Sequence, residues 1–359
     1  MGADSIIYIR TDGNYRISVG HLVRCMSICQ ALLEWKKKVV FLVSDEESKA
    51  LMEGLLKDAA LLEAVKIRIL DNACYDCLEN ELPSLLSLLS VHSNKPLILV
   101  DSYYVTPTYL HTLKKVSKVA YIDDLRKFDY PVNLLVNYDL ISSSERMQLQ
   151  QFYSSAEVLL LGAEYTPLRK QFSGYTPVFR ENPRHILITC GGSDPYGFCL
   201  EITEFLQKTS LNHLHFHVVI GKLFAVEEKQ ALEALSKSWK NLYLHEGLSD
   251  LAPLMKECDL AVSAAGTTLC ELCALGIPTV SFTMADNQLD FAKGFAHINT
   301  IPYSGDIRHN KGFQVYEQIL SFLEEMCQSP ERRLTLQNSM QKLIDGRGCE
   351  RIAKALSNV

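Results

Sequence analysis

The chain has 359 residues, more than one ordinary hydrophobic core accommodates, so two domains are expected. Its composition, 47% hydrophobic and 22% charged, is typical of a soluble globular protein. The net charge of −6 gives no electrostatic reason to expect nucleic acid as a partner. No apolar run reaches the roughly 18 residues that span a bilayer, so no stable membrane association is expected. Eleven cysteines without a signal-peptide pattern predict a cytoplasmic protein.

Short apolar runs typical of β-strands alternate with amphipathic stretches along the chain. In the first half, strands are predicted at 6–10, 39–44, 65–70, 97–101, 119–123, 134–137 and 158–161. In the second half, they are predicted at 185–190, 215–221, 242–246, 260–263, 279–282 and 300–303. This alternation predicts an α/β protein with parallel sheets and helices on both faces.

Proline, glycine and serine interrupt this pattern between residues 165 and 183, which is typical of a linker. We therefore predict an N-terminal Rossmann-like domain at 1–176, a linker at 177–184, a C-terminal Rossmann-like domain at 185–345 and a terminal helix at 346–359. Two doubly wound domains with C-terminal helices indicate the GT-B architecture, in which the active site is the cleft between the domains.

The loop that follows the first predicted strand is the most informative segment. A polar stretch leads to Gly20 and His21, where a helix over about 22–33 is predicted to begin. Ligands bind at the carboxyl edge of open α/β sheets, and the start of a helix attracts anions. His21 is therefore a candidate catalytic residue; the alternative is a solvent-exposed histidine at a helix start.

Two loops of the second half carry glycines where strands are predicted to end. Gly191, Gly192 and Ser193 follow one strand, and paired glycines allow a ligand to approach the backbone closely. The sequence contains neither the Gly-x-Gly-x-x-Gly fingerprint nor a Walker A motif, so NAD and ATP are not supported. Ser263 and Gly266 precede a second helix start.

At that second helix start, Thr267 and Thr268 are candidates to bind a diphosphate, and Glu271 to bind ribose hydroxyls. The alternative is a helix that Thr267 or Thr268 merely caps. A third loop carries Asn287 and Gln288, whose amides suit sugar hydroxyls or N-acetyl groups. For this loop, capping by Asp286 or Asn287 is the alternative.

Metal binding is not favoured by the cysteine and histidine patterns. The Cys-x-x-Cys pairs at 74–77 and 270–273 lie far apart, and neither has a second Cys or His pair at zinc-finger spacing. Alternating histidines at 213, 215 and 217 share a strand face, which fits a metal face or, as we favour, an ordinary core strand.

Taken together, these segments resemble the UDP-sugar hydrolases of pseudaminic acid biosynthesis, which are GT-B relatives of the lipid II N-acetylglucosaminyl transferase. The matching motifs are Arg-x-Asp at 10–12, Gly-His-x-x-Arg-Cys at 20–25, Asp-x-Tyr at 101–103, Ile-Asp-Asp-Leu at 122–125, Asn137, Tyr-x-x-Leu-Arg-x-x-Phe at 165–172, Gly-Gly-x-Asp-Pro at 191–195, Thr-Thr-x-x-Glu-Leu at 267–272, Asp-Asn-Gln at 286–288 and Asp-Gly-x-Gly at 345–348. They follow in the family's order across nearly the whole chain.

The resemblance implies hydrolysis of a UDP-linked 2,4-diacetamido-2,4,6-trideoxyhexose to UDP and free sugar. His21 would be the general base for water, with Asp12 and Tyr103 as further catalytic residues. The residues expected to contact the substrate are Gly20, Arg24, Asn137, Arg169, Gly191, Gly192, Ser193, Ser263, Gly266, Thr267, Thr268, Glu271, Asn287 and Gln288. The scheme requires no cofactor and no metal.

Two other functions fit the same sequence. A GT-B glycosyltransferase would use the same UDP-sugar donor, with His21 deprotonating an acceptor hydroxyl instead of water. A non-catalytic nucleotide-sugar binding subunit is the third possibility. Release of UDP in water without an acceptor would distinguish the hydrolase from both.

Overall fold

The computed structural model describes residues 6–70, 74–308 and 312–359. The chain divides into two units, one formed by Met1–Lys170 with Gly346–Val359, the other by Gln171–Asp345. The segment 177–184, which the sequence predicts as a linker, lies within the second unit. The C-terminal helix belongs to the first unit, where Ile352 and Leu356 are buried in its core.

A seven-stranded parallel sheet forms the centre of the first unit, in the order β3-β2-β1-β4-β5-β6-β7. Its strands are β1 Ile6–Thr11, β2 Lys38–Val43, β3 Lys66–Ile69, β4 Leu97–Asp101, β5 Lys118–Ile122, β6 Leu134–Asn137 and β7 Val158–Leu161. The strand order reverses between β1 and β4, so a crevice is expected at their carboxyl ends. Thr11 and Asp101, the last residues of these two strands, are register partners there.

Helices cover both faces of this sheet. They are α1 Gly20–Glu34, α2 Glu46–Asp58, α3 Leu82–Leu89, α4 Pro107–Val116, α5 Ser143–Phe152 and α13 Gly348–Asn358. Because side chains alternate along a strand, Ile7 and Ile9 pack in one core cluster while Tyr8 packs in the other. Strands buried on both faces explain the nearly continuous apolar runs in the sequence.

The second unit contains a six-stranded parallel sheet in the order β10-β9-β8-β11-β12-β13. Its strands are β8 His185–Thr189, β9 His215–Ile220, β10 Leu242–Glu246, β11 Leu260–Ala264, β12 Thr279–Thr283 and β13 Tyr303–Asp306. Its helices are α6 Phe198–Gln207, α7 Val226–Ser238, α8 Ala252–Glu257, α9 Thr268–Leu275, α10 Asp286–His297, α11 Gly312–Gln328 and α12 Pro330–Leu343. Here the order reverses between β8 and β11.

One strand prediction is wrong. The strand predicted at 300–303 begins only at Tyr303, where the pairing with β12 starts. Pro302 has no N–H to donate, although its carbonyl accepts a hydrogen bond from Ser281 at 2.8 Å. Among the described residues, no helix is long and apolar enough to cross a membrane.

Candidate functional site

The switch point of the first sheet brings a histidine and an aspartate together. Asp101 ends β4, and His21 lies in the first turn of α1, which begins beyond the loop that follows β1. The Nδ1 atom of His21 lies 2.7 Å from Oδ1 of Asp101, and both side chains are buried. Nη2 of Arg24, which only donates, also lies 2.9 Å from Nδ1. We assign the proton to Nδ1 because the contact with the carboxylate, which only accepts, is the shorter one, and this leaves the lone pair on Nε2 as a base.

Arg24 fixes the carboxylate on which His21 depends. One turn along α1, it donates from Nε to Oδ2 of Asp101 at 2.7 Å and from Nη1 to Oδ2 of Asp124 at 2.7 Å. Burial alone would raise the pKa of Asp101, but Arg24 and His21 lower it below the ordinary value. Asp101 is therefore ionised at neutral pH, and its carboxylate accepts the hydrogen bond that orients His21.

Tyr103 completes this cluster. Its ring meets the His21 ring edge to face, with centroids 4.4 Å apart. Burial and the nearby Asp124 raise the pKa of the Tyr103 hydroxyl, which therefore stays protonated at neutral pH. Gly20 is exposed beside His21, and a Cβ at this position would meet nothing within 4 Å.

Asp12 lies in a separate buried network. Its carboxylate accepts hydrogen bonds from Arg10 at 2.5 Å and from the Ser44 backbone amide and hydroxyl, both at 2.7 Å. Arg10 also donates to both carboxylate oxygens of Glu81 at 2.8 Å. The contacts of Asp12 fix the loop that leads to His21.

Asn137 and Arg169, the two remaining residues of the first unit that were predicted to contact the substrate, differ in exposure. Asn137 is fully buried, and its amide nitrogen donates to the Asp123 carbonyl at 3.1 Å. Its amide oxygen accepts from the Asp139 backbone, so both ends of the side chain have internal partners. Arg169 is half-buried.

The glycine loop after β8 is shaped by close backbone packing. Gly191 has a φ of +86°, a conformation that favours glycine. A Cβ on Gly221 would lie 2.5 Å from the carbonyl oxygens of Gly191 and Gly192, so only glycine allows the two loops to pack. Above Gly191 and Gly192 themselves there is open space, and Ser193 beside them is half-buried.

The loop after β11 starts at the same sheet edge, because Ser263 is the register partner of Thr189. Thr267 occupies the N-cap position of α9 without a capping hydrogen bond from its side chain. Its exposed hydroxyl is therefore not committed to the helix, which argues against simple capping by Thr267. A Cβ on Gly266 would meet nothing within 4 Å, whereas the Ser263 hydroxyl is buried against the Ala264 carbonyl at 3.0 Å.

Thr268 is the first residue of α9, and Glu271 follows in its first turn, half-buried. The third loop is organised differently. The N-cap of α10 is Ala285, so Asp286 and Asn287 do not cap this helix as the alternative expected. Gln288 accepts a hydrogen bond from the Met284 backbone at 2.9 Å, while Asn287 is exposed.

The structure thus gathers His21, Arg24 and Tyr103 around Asp101, which the sequence places in the Asp-x-Tyr motif at a strand end but which is not among the predicted site residues. The signal that could have identified it was its position at the end of β4, beside β1. Neither Cys-x-x-Cys pair belongs to a metal-ligating group among the described residues. Cys270 and Cys273 are buried in α9, and Cys77 is exposed.

Two parallel α/β units with reversed strand order define this protein as one with the GT-B fold. The solved structure of Acinetobacter baumannii MurG superimposes with a TM-score of 0.66 and 14% identity over 99% of this chain and 100% of that one. The Neisseria meningitidis UDP-GlcNAc 2-epimerase bound to UDP-GlcNAc gives 0.64 and 16% identity over 99% and 100%. At these identities the likeness concerns the fold.

More specific similarity comes from sequence relatives. The chain is 26% identical over 290 residues to an uncharacterised protein of Methanocaldococcus jannaschii, covering 76% of this chain and 54% of that one. It is 21% identical to the spore coat polysaccharide biosynthesis protein SpsG of Bacillus subtilis, over 98% and 97% of the two chains. No protein-family model matches.

A third relative is the pseudaminic acid cytidylyltransferase and UDP-2,4-diacetamido-2,4,6-trideoxy-beta-L-altropyranose hydrolase of Helicobacter pylori. Identity is 28% over 204 residues, which cover 55% of this chain and 36% of that protein. This chain therefore spans about half of the Methanocaldococcus relative and about a third of the Helicobacter relative.

Proposed function

We propose that this protein hydrolyses a UDP-linked 2,4-diacetamido-2,4,6-trideoxyhexose to UDP and the free sugar. The observation that carries the proposal is the 2.7 Å contact between His21 Nδ1 and Asp101, because it orients the imidazole and leaves Nε2 as a base. The named hydrolase activity of the Helicobacter relative and the polysaccharide role of SpsG support a UDP-sugar substrate.

In the proposed mechanism, His21 takes a proton from a water molecule that attacks the anomeric carbon. A positioned general base contributes about 10²–10⁴-fold to a rate. Asp101 stabilises the imidazolium that forms, as the carboxylate does in a Ser-His-Asp triad. Tyr103 limits the movement of the imidazole ring by edge-to-face contact.

The second unit binds the UDP leaving group in this proposal. Backbone amides at the start of α9 and the Thr267 hydroxyl are suited to a diphosphate, and the open space above Gly191 and Gly266 admits it. Holding the diphosphate charge makes UDP a better leaving group. Glu271 would bind the ribose, and Asn287 and Gln288 the sugar or its phosphate.

We further propose that Asp12 and Asn137, with their buried partners, position the site without contacting the substrate. Gly20 and Arg169 remain proposed contact residues, as do Ser193 and Thr268. Ser263 would act through the shape of its loop, since its hydroxyl is buried against a carbonyl.

The test is incubation with the UDP-linked diacetamido sugar in ¹⁸O-water without an acceptor. UDP release with the label on the sugar, none on UDP and inverted anomeric configuration is expected. Label on UDP would refute attack at carbon, and retained configuration would replace the direct role of His21 with a covalent intermediate. UDP release that requires an added acceptor alcohol would instead indicate a transferase.

A further inference from the structure

A buried cluster of two cysteines and an aspartate lies directly beside the glycine loop of the second unit. Cys190 lies between the end of β8 and Gly191, Asp194 lies between the glycine loop and α6, and Cys199 lies in the first turn of α6. The two cysteine sulfur atoms and one carboxylate oxygen of Asp194 all lie within 4.8 Å of one another. The three side chains are at most 7% exposed.

The distances within this cluster match those of a tetrahedral metal site. The two Sγ atoms are 3.4 Å apart, and Cys190 Sγ lies 3.6 Å from Asp194 Oδ2. Thiolates bound to zinc at about 2.3 Å in a tetrahedron lie about 3.8 Å apart, whereas a disulfide requires about 2.05 Å. The sulfurs thus need only a small adjustment to share a metal ion.

A second carboxyl group borders the cluster and lacks a full set of partners. Glu228, in the first turn of α7, lies within hydrogen-bonding reach of Asp194 and is only 8% exposed. Its Oε1 atom is buried without a hydrogen-bond partner. Two adjacent buried carboxylates repel each other unless a cation or a shared proton lies between them.

We propose that Cys190, Cys199 and Asp194 bind a zinc ion, and that Glu228, beside Asp194, is the neighbouring carboxyl group that supports this ligand. Two thiolates and carboxylate oxygens in tetrahedral geometry are a ligand set that suits zinc. The start of α6 offsets the excess negative charge, since the backbone amides of Phe198 and Cys199 donate to Asp194 at 2.9 and 2.7 Å. The ion ties the glycine loop to α6, so its role is structural.

Cobalt(II) is the probe for this site, because thiolate coordination gives an intense near-ultraviolet charge-transfer band and tetrahedral geometry gives strong visible bands. The full-length protein is stripped with a chelator, reduced and titrated with Co²⁺ alone. We expect one tightly bound ion per chain with both sets of bands. Zinc added afterwards should displace cobalt and abolish them.

The matched variants separate this cluster from the other cysteines. Cys199→Ser is expected to lose the charge-transfer intensity of the site, and Glu228→Gln to weaken cobalt affinity by about 10–100-fold. Cys258→Ser, which removes another buried thiol of the same unit, should bind as the parent does. The double variant Cys74→Ser/Cys77→Ser removes the Cys-x-x-Cys pair of the first unit and should also retain the bands.

Three results would overturn the proposal. The first is a reduced parent chain without cobalt bands, in which Asp194 and Glu228 would share a proton. The second is loss of the bands in Cys74→Ser/Cys77→Ser, which would assign the metal to that pair. The third is a metal-free chain as purified whose mass, after peptide mapping, shows a Cys190–Cys199 disulfide. Because Glu228→Gln keeps both thiols, it remains informative if the serine variant fails to fold.

Discussion

The two sheet switch points of this protein are built in opposite ways. In the first unit, the ends of β1 and β4 carry buried charged groups, with Asp101 shared between His21 and Arg24. In the second unit, the ends of β8 and β11 carry glycines with open space above them. Buried, paired charge is costly to assemble and holds side chains in fixed orientations, whereas exposed backbone is suited to phosphate oxygens.

This difference separates chemistry from binding in testable terms. If the proposed function holds, changes at the first switch point should affect the rate of turnover, and changes at the second should affect affinity for UDP.

Replacing His21 should have the largest effect. We expect His21→Asn to lower kcat by about 10²–10⁴-fold, because the general base is lost, with UDP affinity unchanged. Rate measurements and calorimetry with UDP test this, and His111→Asn, an exposed histidine of α4, is the matched control. A large loss of UDP affinity with turnover retained would contradict the assignment.

Asp101→Asn should lower kcat by less than loss of the base itself, because the imidazole is misoriented but present. Steady-state rates and calorimetry with UDP test this: kcat should fall while UDP affinity stays that of the parent, because Asp101 contacts His21 and not the diphosphate. A folded Asp101→Asn variant that turns over at the parent rate would exclude Asp101 as the positioning residue.

The sequence predicts the fold well because strands buried on both faces produce long apolar runs. It also predicts which loops follow β1, β8 and β11, since glycine and the amino-terminal residues of helices have local signatures. The bounds of the strand predicted at 300–303 are wrong, because the strand forms at Tyr303–Asp306 instead. Where a strand begins at the edge of a sheet depends on its pairing with the neighbouring strand. Local sequence does not contain that information.

The partnerships of side chains are the part that the sequence does not predict. Asp101 lies 80 positions from His21, and their contact depends on the strand order β1-β4. Likewise, Asp12 occurs in a motif beside the predicted base, yet Arg10 and Ser44 occupy its carboxylate. Residue type and spacing predict which loops follow the strands but not the hydrogen bonds within those loops.

Gly266→Ala tests whether the open space above Gly266 is filled by a bound ligand. The added methyl meets no protein atom within 4 Å, so the melting temperature should be unchanged. If diphosphate lies there, UDP affinity should fall by about tenfold, since intruding methyl groups cost about 1–3 kcal/mol. Gly54→Ala, equally open but on α2, is the control and should leave UDP affinity unchanged.

The smallest effect concerns acid stability, where the two units should again differ. In the second unit, imidazoles form a hydrogen-bonded row across three strands: His185 Nδ1 lies 2.9 Å from His217 Nε2, and His217 Nδ1 lies 3.0 Å from His245 Nε2. Burial and the neighbouring histidines lower the pKa of His217 to about 4. The other titratable groups near this row are His215, Tyr243, Glu257, Asp259 and Arg180.

A lowered histidine pKa means that the unfolded chain binds the proton first. The stability contributed by neutral His217 is complete above about pH 6.5 and is lost as the pH falls towards 4, by about 1–2 kcal/mol after allowance for solvent screening. The pKa of Asp101 is lowered in the folded chain, so ionised Asp101 stabilises the first unit until the pH falls below the pKa of an ordinary aspartate. Its contribution is therefore lost at a lower pH than that of His217. The second unit should therefore weaken first on acidification.

The two tryptophans make this order measurable, since Trp35 lies in the first unit and Trp239 in the second. With Trp35→Phe, urea unfolding followed by Trp239 fluorescence should show a midpoint that falls between pH 6.5 and 4. With Trp239→Phe, the Trp35 midpoint should be steadier over that range.

The histidine variants test the cause of this difference. His217→Asn should reduce the fall of the Trp239 midpoint between pH 6.5 and 4, because the group that titrates is gone. His213→Asn, which replaces an exposed neighbour, should leave that fall unchanged. Equal acid sensitivity of both reporters, or a His217→Asn chain as acid-sensitive as the parent, would show that the imidazole row does not set the difference between the units.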